Sequence, residues 1–327
     1  MAEVIFLALP KTCPRQKAYS QTINWRSFTH FKMRAPSSSK QLFLQAIGLF
    51  SLVRVVNVSV LMLAQVLTAV FIFSKLDIIP TLKNVELWLI VLATGFSVSG
   101  GYIFNAFFDE EKDLINRPQK TILERHVSAK AKLAMYFICS VMALLTASYV
   151  SFRAVLFFTC YMVAMFVYSS LLKRDLWFGT LTSTLLTILP FFAITVYYNN
   201  FSLEIFAHAA YLYTLVSIRE FVKDLYNLKG DLAQNYQTFP VVWGERRTKK
   251  LISILIACAL MVIVLLQAFF SLNAMIYYFV SAFVLLLLLL MLLWRLSSTR
   301  HMGLLLQLTR LIILFGIISL PLLRLNV

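Results

Sequence analysis

The feature that most constrains this chain is a series of apolar runs, each about as long as a membrane-spanning helix. A helix that crosses a hydrocarbon core of about 30 Å needs roughly 20 apolar residues. The runs lie near residues 44–73, 87–108, 132–151, 154–172, 177–198, 204–222, 250–271, 274–294 and 303–323. The first of these runs is long enough that its helix could tilt or break. The sequence therefore predicts an all-α, polytopic membrane protein with about nine transmembrane helices.

Composition and charge agree with a membrane protein. Of the 327 residues, 60% are hydrophobic and 13% are charged, whereas an average soluble chain has nearly twice that charged share. Lys and Arg number 30 against 14 Asp and Glu, which gives a net charge of +16. In so apolar a chain this surplus indicates basic loops on the inner side of a bilayer, and it argues against a nucleic-acid partner.

The basic residues also predict an orientation. If the N-terminus is inside, most Lys and Arg of the connecting segments lie in inner loops. The outer segments then hold only Lys75, Lys83, Arg153 and Arg324. This alternation predicts an integral, multi-pass protein with its N-terminus in the cytoplasm and its C-terminus outside.

The first 40 residues differ from the rest. They hold seven Lys or Arg, a single acid (Glu3) and a Pro/Ser-rich stretch at residues 35–39. The apolar segment from Ile5 to Leu9 is too short for a signal peptide. We therefore expect a basic, mobile tail over residues 1–40 and a single transmembrane domain over residues 41–327, with Met33 as an alternative start.

The cysteines carry no chemical signal. No pair among them has the spacing of a metal site or a redox motif. Cys139, Cys160 and Cys258 lie inside apolar runs, and Cys13 stands alone near the start. We expect buried packing residues.

The acidic residues are the most informative part of the sequence. Half of them form two clusters, each at the inner end of a predicted span: Asp109, Glu110, Glu111 and Asp113, and then Glu220, Asp224 and Asp231. In the first cluster, Asn105, Asp109 and Asp113 recur every four residues, which places them on one face of a helix. In the second, one helix face holds Glu220, Asp224, Asn227 and Asp231.

Two oxygen-rich faces on separate helices can face each other across a cavity. Carboxylate and amide oxygens are ligands for Mg²⁺, which binds through a few of them and through substrate phosphates. Cations that suit a diphosphate accompany the acids, namely Arg117, Lys173, Arg219 and Lys223. The alternative is that these acids are solvated loop residues that balance nearby Lys and Arg.

These segments resemble the motifs of the UbiA-type intramembrane prenyltransferases. Asn105-Ala-Phe-Phe-Asp109-Glu-Glu-Lys-Asp113 resembles the first aspartate-rich motif, NDxxDxxxD, and residues 219–231 resemble the second, DxxxD with its upstream acid. The stretch 237–244, QTFPVVWG, is similar to the family's KTLPVxxG. Arg54-Val-Val-Asn57 resembles the first-helix RxxN, and residues 168–174 the turn after the fourth helix. The resemblance spans roughly residues 45–325.

The resemblance implies a helical fold around a central cavity and a Mg²⁺-dependent transfer of an isoprenyl group from an allylic diphosphate to a lipophilic acceptor. It implies catalytic roles for Asp109, Asp113 and Asp231. It also implies metal binding by Asn105, Asp109, Asp113, Asp224, Asn227 and Asp231, and diphosphate binding by Arg117, Lys173, Arg219 and Lys223. The active site would face the cytoplasm. Candidate substrate contacts are Asn57, Tyr168 and Glu220, although Asn57 could instead bond another helix and Tyr168 could belong to an interfacial aromatic belt.

The chain departs from the family pattern at two positions. Ala106 stands where the first motif has its second-position Asp, and Asn227 stands where the second motif has its first Asp. The remaining carboxylates, together with the Asn227 carbonyl, still offer Mg²⁺ oxygen ligands. We expect activity with an altered metal geometry.

The identity of the acceptor stays open at this point. The run Arg219–Asp224 followed by Gly230-Asp231 looks more like the branch that alkylates geranylgeranylglyceryl phosphate than the branch acting on 4-hydroxybenzoate. An aromatic acceptor, including a quinone or pigment precursor, is the alternative. Two other hypotheses are a non-catalytic lipid-binding homologue and a cation-coupled transporter, since intramembrane acids also form ion relays.

Overall fold

The computed structural model of the protein describes residues 38–74, 77–270, 272–295 and 299–324. The first half forms α1 (Ser38–Val53), α2 (Val55–Thr68), α3 (Ile78–Leu82), α4 (Val85–Asn116), α5 (Pro118–Glu124), α6 (Ala129–Ser148) and α7 (Phe152–Ser170). The second half forms α8 (Leu176–Ile188), α9 (Phe192–Tyr198), α10 (Leu203–Ala233), α11 (Phe239–Trp243), α12 (Glu245–Phe269), α13 (Ile276–Arg295) and α14 (Thr299–Ile318). The predicted all-α class is confirmed. The predicted basic tail lies almost wholly outside the described residues.

Eight helical segments in the described part of the chain are long and apolar enough to cross a bilayer. They are Val55–Phe73, Val85–Asn116, Ala129–Ser148, Phe152–Ser170, Phe178–Tyr198, Glu245–Phe269, Asn273–Arg295 and His301–Arg324. The predicted span near 204–222 lies on α10, whose charged residues make it less apolar than the others. The protein is thus a multi-pass membrane protein, and the predicted count of about nine is approximate.

The long first apolar run breaks at Arg54. This residue adopts the left-handed conformation, with φ 54° and ψ 49°, between α1 and α2. A side chain in that region costs about 1–2 kcal/mol, so neighbouring packing must maintain the break. Beyond the break, α2 continues into a π-helical turn, Ala69–Phe73. The sequence correctly suggested that this run could break, but it did not indicate where.

Local polar side chains define the starts of several long helices. The Asn84 side chain accepts a hydrogen bond from the amide of Glu86 at 3.0 Å and caps α4. Ser128 caps α6 and Ser151 caps α7 in the same way. Because each cap satisfies an amide that the first helical turn leaves unpaired, the connections between spans can stay short.

The helices α4 and α10 occupy the centre of the bundle. Helix α4 packs against α2, α6 and α7, and α10 packs against α8, α12 and α14. The two also contact each other. On α10 the buried side chains of Ile218 and Phe221 belong to a core cluster that includes Ile252 of α12 and Phe279 of α13. The two helices that carry the predicted acidic faces therefore lie side by side.

The outer surface of the bundle is apolar. Phe137, Phe152 and Met261 are among many large hydrophobic side chains exposed there, as expected where lipid replaces water. Cys139 is buried, as predicted, but Cys160 and Cys258 are exposed. The prediction was wrong for these two because an apolar run has the same composition on its core-facing and lipid-facing sides.

Candidate active site

Both central helices are longer than a bilayer requires. Helix α4 has 32 residues and α10 has 31. At 1.5 Å per residue they extend about 48 Å and 46 Å, against a hydrocarbon thickness of about 30 Å. The acidic clusters occupy the C-terminal parts of both helices. Each set of residues that was predicted to share one helix face therefore lies on one continuous helix.

The first motif is held by a lysine from another part of the chain. Lys173, in the turn between α7 and α8, forms an ion pair with the Asp109 carboxylate and donates a hydrogen bond to Asn105 Oδ1. Asn105 Nδ2 in turn donates to Asp109 Oδ2 at 2.9 Å. Burial lowers the pKa of Lys173 to about 8, while the adjacent Asp109 carboxylate opposes that shift. Three of the predicted site residues are therefore in mutual contact.

A second lysine joins the two motifs. Lys112 Nζ on α4 lies 2.7 Å from Asp231 Oδ1 on α10, and the Asp231 side chain has no exposed surface. Thr238 donates a hydrogen bond to Asp231 Oδ2 at 3.2 Å. The Lys112 ammonium also lies over the Tyr236 ring, 4.3 Å from its centroid. The carboxylate from the second motif is thus neutralised by a cation from the first.

The upstream acid of α10 collects two cations. Glu220 is buried and pairs with Arg219 at 3.0 Å and with Lys223 one turn later. Ser183 of α8 donates to Glu220 Oε2 at 3.3 Å. Two of the predicted diphosphate-binding cations thus pair with Glu220, which the sequence suggests as a substrate contact.

Asp224 contacts helix α8. Thr180 donates a hydrogen bond to Asp224 Oδ2 at 2.9 Å, and both side chains are buried. Asn227, one turn further, is buried, and its Oδ1 atom has no hydrogen-bond partner. A buried carbonyl oxygen without a donor is costly unless a ligand satisfies it.

The other predicted site residues make fewer polar contacts. Arg117 and Asp113 are half-buried and form no ion pair within the described residues. Asn57 is exposed, and its side chain makes no hydrogen bond within the described residues. The hydrogen bond to another helix that the sequence suggested as an alternative is therefore not formed. Tyr168 packs against the apolar cluster that contains Tyr161.

Ala106 faces away from the charged side chains of the site and towards apolar ones. Its side chain packs against the apolar cluster of Leu52, Ile103, Val127 and Cys139. A carboxylate there would adjoin hydrophobic side chains. The two departures from the family motifs thus differ in kind, since Asn227 offers an unpaired oxygen whereas Ala106 offers apolar packing.

Sequence reasoning missed several residues of the site. Lys112 follows Asp109 by three positions, so helical spacing alone already places it on the same side as that acid. Thr180 and Ser183 lie three residues apart in a span that also holds Thr182, Thr184 and Thr187, so the sequence does not single them out. Thr238 and Tyr236 come from the segment after α10, and only the fold brings them to the acids.

The oxygen donors fit Mg²⁺ chemically. No group of three or more His, Cys, Asp or Glu side chains within the described ranges is arranged as a metal site. The carboxylates of Asp109 and Asp231 are instead paired with lysines, and the Asn227 oxygen is unpaired. Carboxylates and an amide oxygen, without sulfur or imidazole, are the donor set that a hard cation prefers.

A polar cleft opens beside these residues. It has a volume of about 460 Å³ and is lined by Phe107, Phe108, Glu110, Glu111, Lys112, Arg125, Gln234 and Tyr236. Because Lys112 and Tyr236 belong to both the cleft and the ion-pair network, the network can be reached from this end of the bundle.

Comparisons of the sequence with known proteins agree with one another. The sequence model of the UbiA prenyltransferase family matches residues 62–305. The digeranylgeranylglyceryl phosphate synthase of Methanobrevibacter smithii is 25% identical over 218 residues, which cover 64% of this chain and 77% of that protein. The synthase of Thermococcus sibiricus is 32% identical over 167 residues, or 50% of this chain and 58% of that protein.

Solved structures share the fold at low identity. A structure of digeranylgeranylglyceryl phosphate synthase superposes with a TM-score of 0.63 at 15% identity, covering 86% of this chain and 97% of the other. A UbiA homologue from Archaeoglobus fulgidus bound to GPP and Mg²⁺ superposes with a TM-score of 0.62 at 14% identity, covering 84% and 99%. The expected helical architecture is confirmed.

Proposed function

The chain belongs to the UbiA prenyltransferase family, and we propose that it transfers an isoprenyl group from an allylic diphosphate to a lipophilic acceptor within the membrane. The observation that carries this proposal is the contact between the two motifs, in which Lys112 of the first pairs with Asp231 of the second at one end of an apolar bundle. Chemistry on a lipid with a charged head needs a polar centre that adjoins a hydrophobic interior.

The polar centre supplies the groups that a diphosphate requires. In this proposal, the diphosphate oxygens would be neutralised by Lys173, Arg117, Arg219 and Lys223. The residues that would hold Mg²⁺ are Asn105, Asp109, Asp113, Asp224, Asn227 and Asp231. When bound, the metal would add positive charge against the departing diphosphate. Support comes from the Archaeoglobus fulgidus homologue, which was solved with GPP and Mg²⁺ and separately with DMAPP and Mg²⁺.

The chain's own residues account for the remaining requirements. The lysine and arginine cations favour departure of the diphosphate, which breaks the bond between the allylic carbon and the diphosphate oxygen. The acceptor oxygen then bonds to that carbon, and its proton is lost with the diphosphate to solvent. Apolar helices on both sides exclude water that would otherwise capture the allylic cation, and aromatic rings such as Tyr168 and Tyr236 can stabilise its charge.

The acceptor we favour is the hydroxyl of a geranylgeranylglyceryl-phosphate-like lipid. This choice rests on the sequence of the second motif and on the curated relatives named digeranylgeranylglyceryl phosphate synthase. It would make the product an ether lipid. We further propose that the site faces the cytoplasm, since the inner loops hold most of the basic residues.

Product identity tests the proposal. The purified protein is incubated with geranylgeranyl diphosphate, Mg²⁺ and one acceptor at a time, and products are identified by mass. We expect an ether lipid from geranylgeranylglyceryl phosphate. A prenylated ring from 4-hydroxybenzoate without any ether lipid would replace the acceptor assignment, and the absence of diphosphate release with every acceptor would reject prenyl transfer.

Single substitutions test the site separately. Asp109→Ala, Asp113→Ala and Asp231→Ala should each remove most turnover, because each deletes a predicted ligand of a diphosphate-bridging cation. Membrane insertion, measured by detergent-extractable folded protein, should persist. Near-normal turnover in two of the three variants would reject the metal assignment.

A further inference from the structure

A short helix precedes the first membrane span and is separate from it. Helix α1 has 16 residues, or about 24 Å, and its apolar part, Leu42–Val53, is too short to cross a hydrocarbon core of about 30 Å. The left-handed Arg54 divides α1 from the span Val55–Phe73. The Arg54 guanidinium lies over the ring of Tyr102 on the spanning helix α4, 4.7 Å from the ring centroid. Helix α1 therefore ends where the first span begins.

One face of α1 packs on the protein. A Cβ atom on Gly48 would lie 2.9 Å from the carbonyl oxygen of Leu123, so α1 approaches α5 closely. Three residues later, Ser51 donates a hydrogen bond to Glu124 Oε1 at 2.7 Å. Leu52 is buried and completes this face. These contacts determine which side of α1 points outward.

The opposite face of α1 is an exposed row of apolar side chains. Leu42, Phe43 and Phe50 are 65%, 66% and 66% exposed, and Ala46 between them is also exposed. At 100° per residue, these four side chains lie within about 100° of one another around the helix. We call Leu42, Phe43, Ala46 and Phe50 the apolar stripe. Most of its surface is left uncovered by the rest of the described chain.

The surroundings of the apolar stripe favour a lipid surface as its partner. The first 40 residues hold seven Lys or Arg and a single acid, and such a charge attracts anionic lipid headgroups. A helix with one apolar face, a basic flank and too little length to span is typical of helices that lie in a membrane interface. Because only Arg54 separates α1 from a membrane span, the bilayer is within reach of the stripe.

A second copy of the chain is a weaker explanation for the apolar stripe. Four side chains, one of them alanine, present at most a few hundred Å², whereas a stable protein–protein interface buries roughly 800 Å² on each partner. A bilayer needs no such minimum area, because the spans already hold the chain in it. The apolar stripe therefore suits acyl chains better than a protein partner.

We propose that α1 lies along the membrane surface, with the apolar stripe among the acyl chains of the interface and the opposite face packed on α5. Helix α5 begins at Pro118, directly after the Arg117 that follows α4. The lipid contact of α1 thus anchors the segment that continues from the first motif. The inference is independent of the proposed prenyl transfer, since it concerns a surface that takes no part in the reaction.

Depth measurements test the orientation of α1. Nitroxide labels are attached to Leu42→Cys, Ala46→Cys and Phe50→Cys in the full-length protein without native cysteines. The vesicles contain phosphatidylcholine and phosphatidylglycerol at about three to one, which gives an anionic surface. Accessibility to oxygen and to a water-soluble nickel complex gives the depth of each label. A helix along the surface should place all three labels within about 3 Å of one depth, although the outer two are about 12 Å apart along the axis. If one variant does not fold, Phe43→Cys replaces it.

The matched control is an exposed stripe with the same spacing on a spanning helix. Leu133→Cys and Phe137→Cys on α6 are four residues apart and exposed, like Leu42 and Ala46. Because α6 is long and apolar enough to cross the bilayer, their labels should differ in depth by about 6 Å.

Three results would overturn the proposal. If α1 rises out of the bilayer, the label at Leu42 will be open to the nickel complex and the depth will change steadily towards Phe50. Labels shielded from both oxygen and nickel would indicate a protein partner, including a second copy of the chain. Labels that are open to nickel at all three positions would place the apolar stripe in water.

Hydrogen exchange tests the link between α1 and α5. Phe43→Ser combined with Phe50→Ser should raise the amide exchange rate of residues 118–124 at least about threefold in the same vesicles, because α5 loses its anchored neighbour. Met261→Ser combined with Val264→Ser removes two exposed apolar side chains from α12 and should leave that exchange unchanged. Exchange in the α1 variant no faster than in this control would overturn the anchoring role.

Discussion

The side chain of Asn116 accepts a hydrogen bond from the backbone amide of Gly230 at 3.2 Å, although 114 residues separate them. Asn116 is the last residue of α4, and Gly230 lies near the end of α10. A Cβ atom on Gly230 would lie 2.2 Å from Asn116 Nδ2. The two motif-bearing helices therefore approach each other here, and a side chain at position 230 would displace the Asn116 amide.

Gly230→Ala should displace the Asn116 side chain, because the new methyl group would overlap its amide, and should break the hydrogen bond to the Gly230 amide, which costs about 0.5–1.5 kcal/mol. In a helix without this contact, the same substitution would stabilise by about 1 kcal/mol, so Gly230→Ala should be the less stable of two matched Gly→Ala variants. Thermal unfolding in detergent measures the effect. Gly100→Ala on α4 is the matched control, since its Cβ would meet Cys139 at an ordinary 3.5 Å. Equal melting temperatures for the two variants would contradict the close approach.

Asp109→Asn should cost about 3–5 kcal/mol of stability, since it leaves Lys173 buried without its carboxylate. Adding Lys173→Met should recover most of that loss without restoring turnover, because both charges belong to the proposed site. Chemical denaturation and product formation are measured on the same samples. Glu111→Gln, at an exposed position, should change the stability by less than about 0.5 kcal/mol. A double variant no more stable than Asp109→Asn would show that the pair is not the cause.

Asn227→Asp should lower the Mg²⁺ concentration needed for half-maximal turnover several-fold, because a carboxylate replaces a neutral oxygen that has no partner. Ala106→Asp restores the other family residue but places a carboxylate against apolar side chains. We expect it to lower stability and to leave the Mg²⁺ requirement unchanged. Titration of turnover with Mg²⁺ compares the two. The reverse ranking would show that position 106, rather than 227, faces the metal.

Lys112→Met should make the stability of the protein depend on Mg²⁺. It removes the cation 2.7 Å from Asp231, and a divalent ion can then neutralise that buried carboxylate. The measurement is the change in melting temperature on adding Mg²⁺, which should be larger in Lys112→Met than in the wild type. Lys229→Met, at an exposed position of α10, should behave like the wild type. An equal response in all three proteins would contradict a cation role for Lys112.

Single cysteines in a background without native cysteines test the orientation. Labels at Lys120→Cys and Arg246→Cys should be reachable only from the cytoplasm, and labels at Asn200→Cys and Asn273→Cys only from outside, because basic loops remain on the inner side. Labelling of sealed vesicles and intact cells with a membrane-impermeant maleimide measures this. The opposite labelling pattern would invert the topology.

The sequence predicted the fold to the extent that it depends on length, polarity and helical spacing. Apolar runs located the spans, and the four-residue recurrence of Asn105, Asp109 and Asp113 correctly placed them on one helix. The sequence could not reveal contacts that join distant segments. Neither the pairing of Lys112 with Asp231 nor the hydrogen bond between Asn116 and Gly230 has a local signature, because each depends on which helices are neighbours. The break at Arg54 was equally hidden, since packing rather than local preference maintains a left-handed arginine.

The extra length of α4 and α10 determines where each reaction product would go. The polar centre lies towards the ends of both helices, while their remaining turns are long enough to cross the hydrocarbon. A diphosphate released there enters the aqueous phase directly, whereas the prenylated lipid has become more apolar and partitions into the bilayer. The diphosphate would therefore enter water and the prenylated lipid would enter the bilayer. This separation would limit their recombination and favour the forward direction of the proposed transfer.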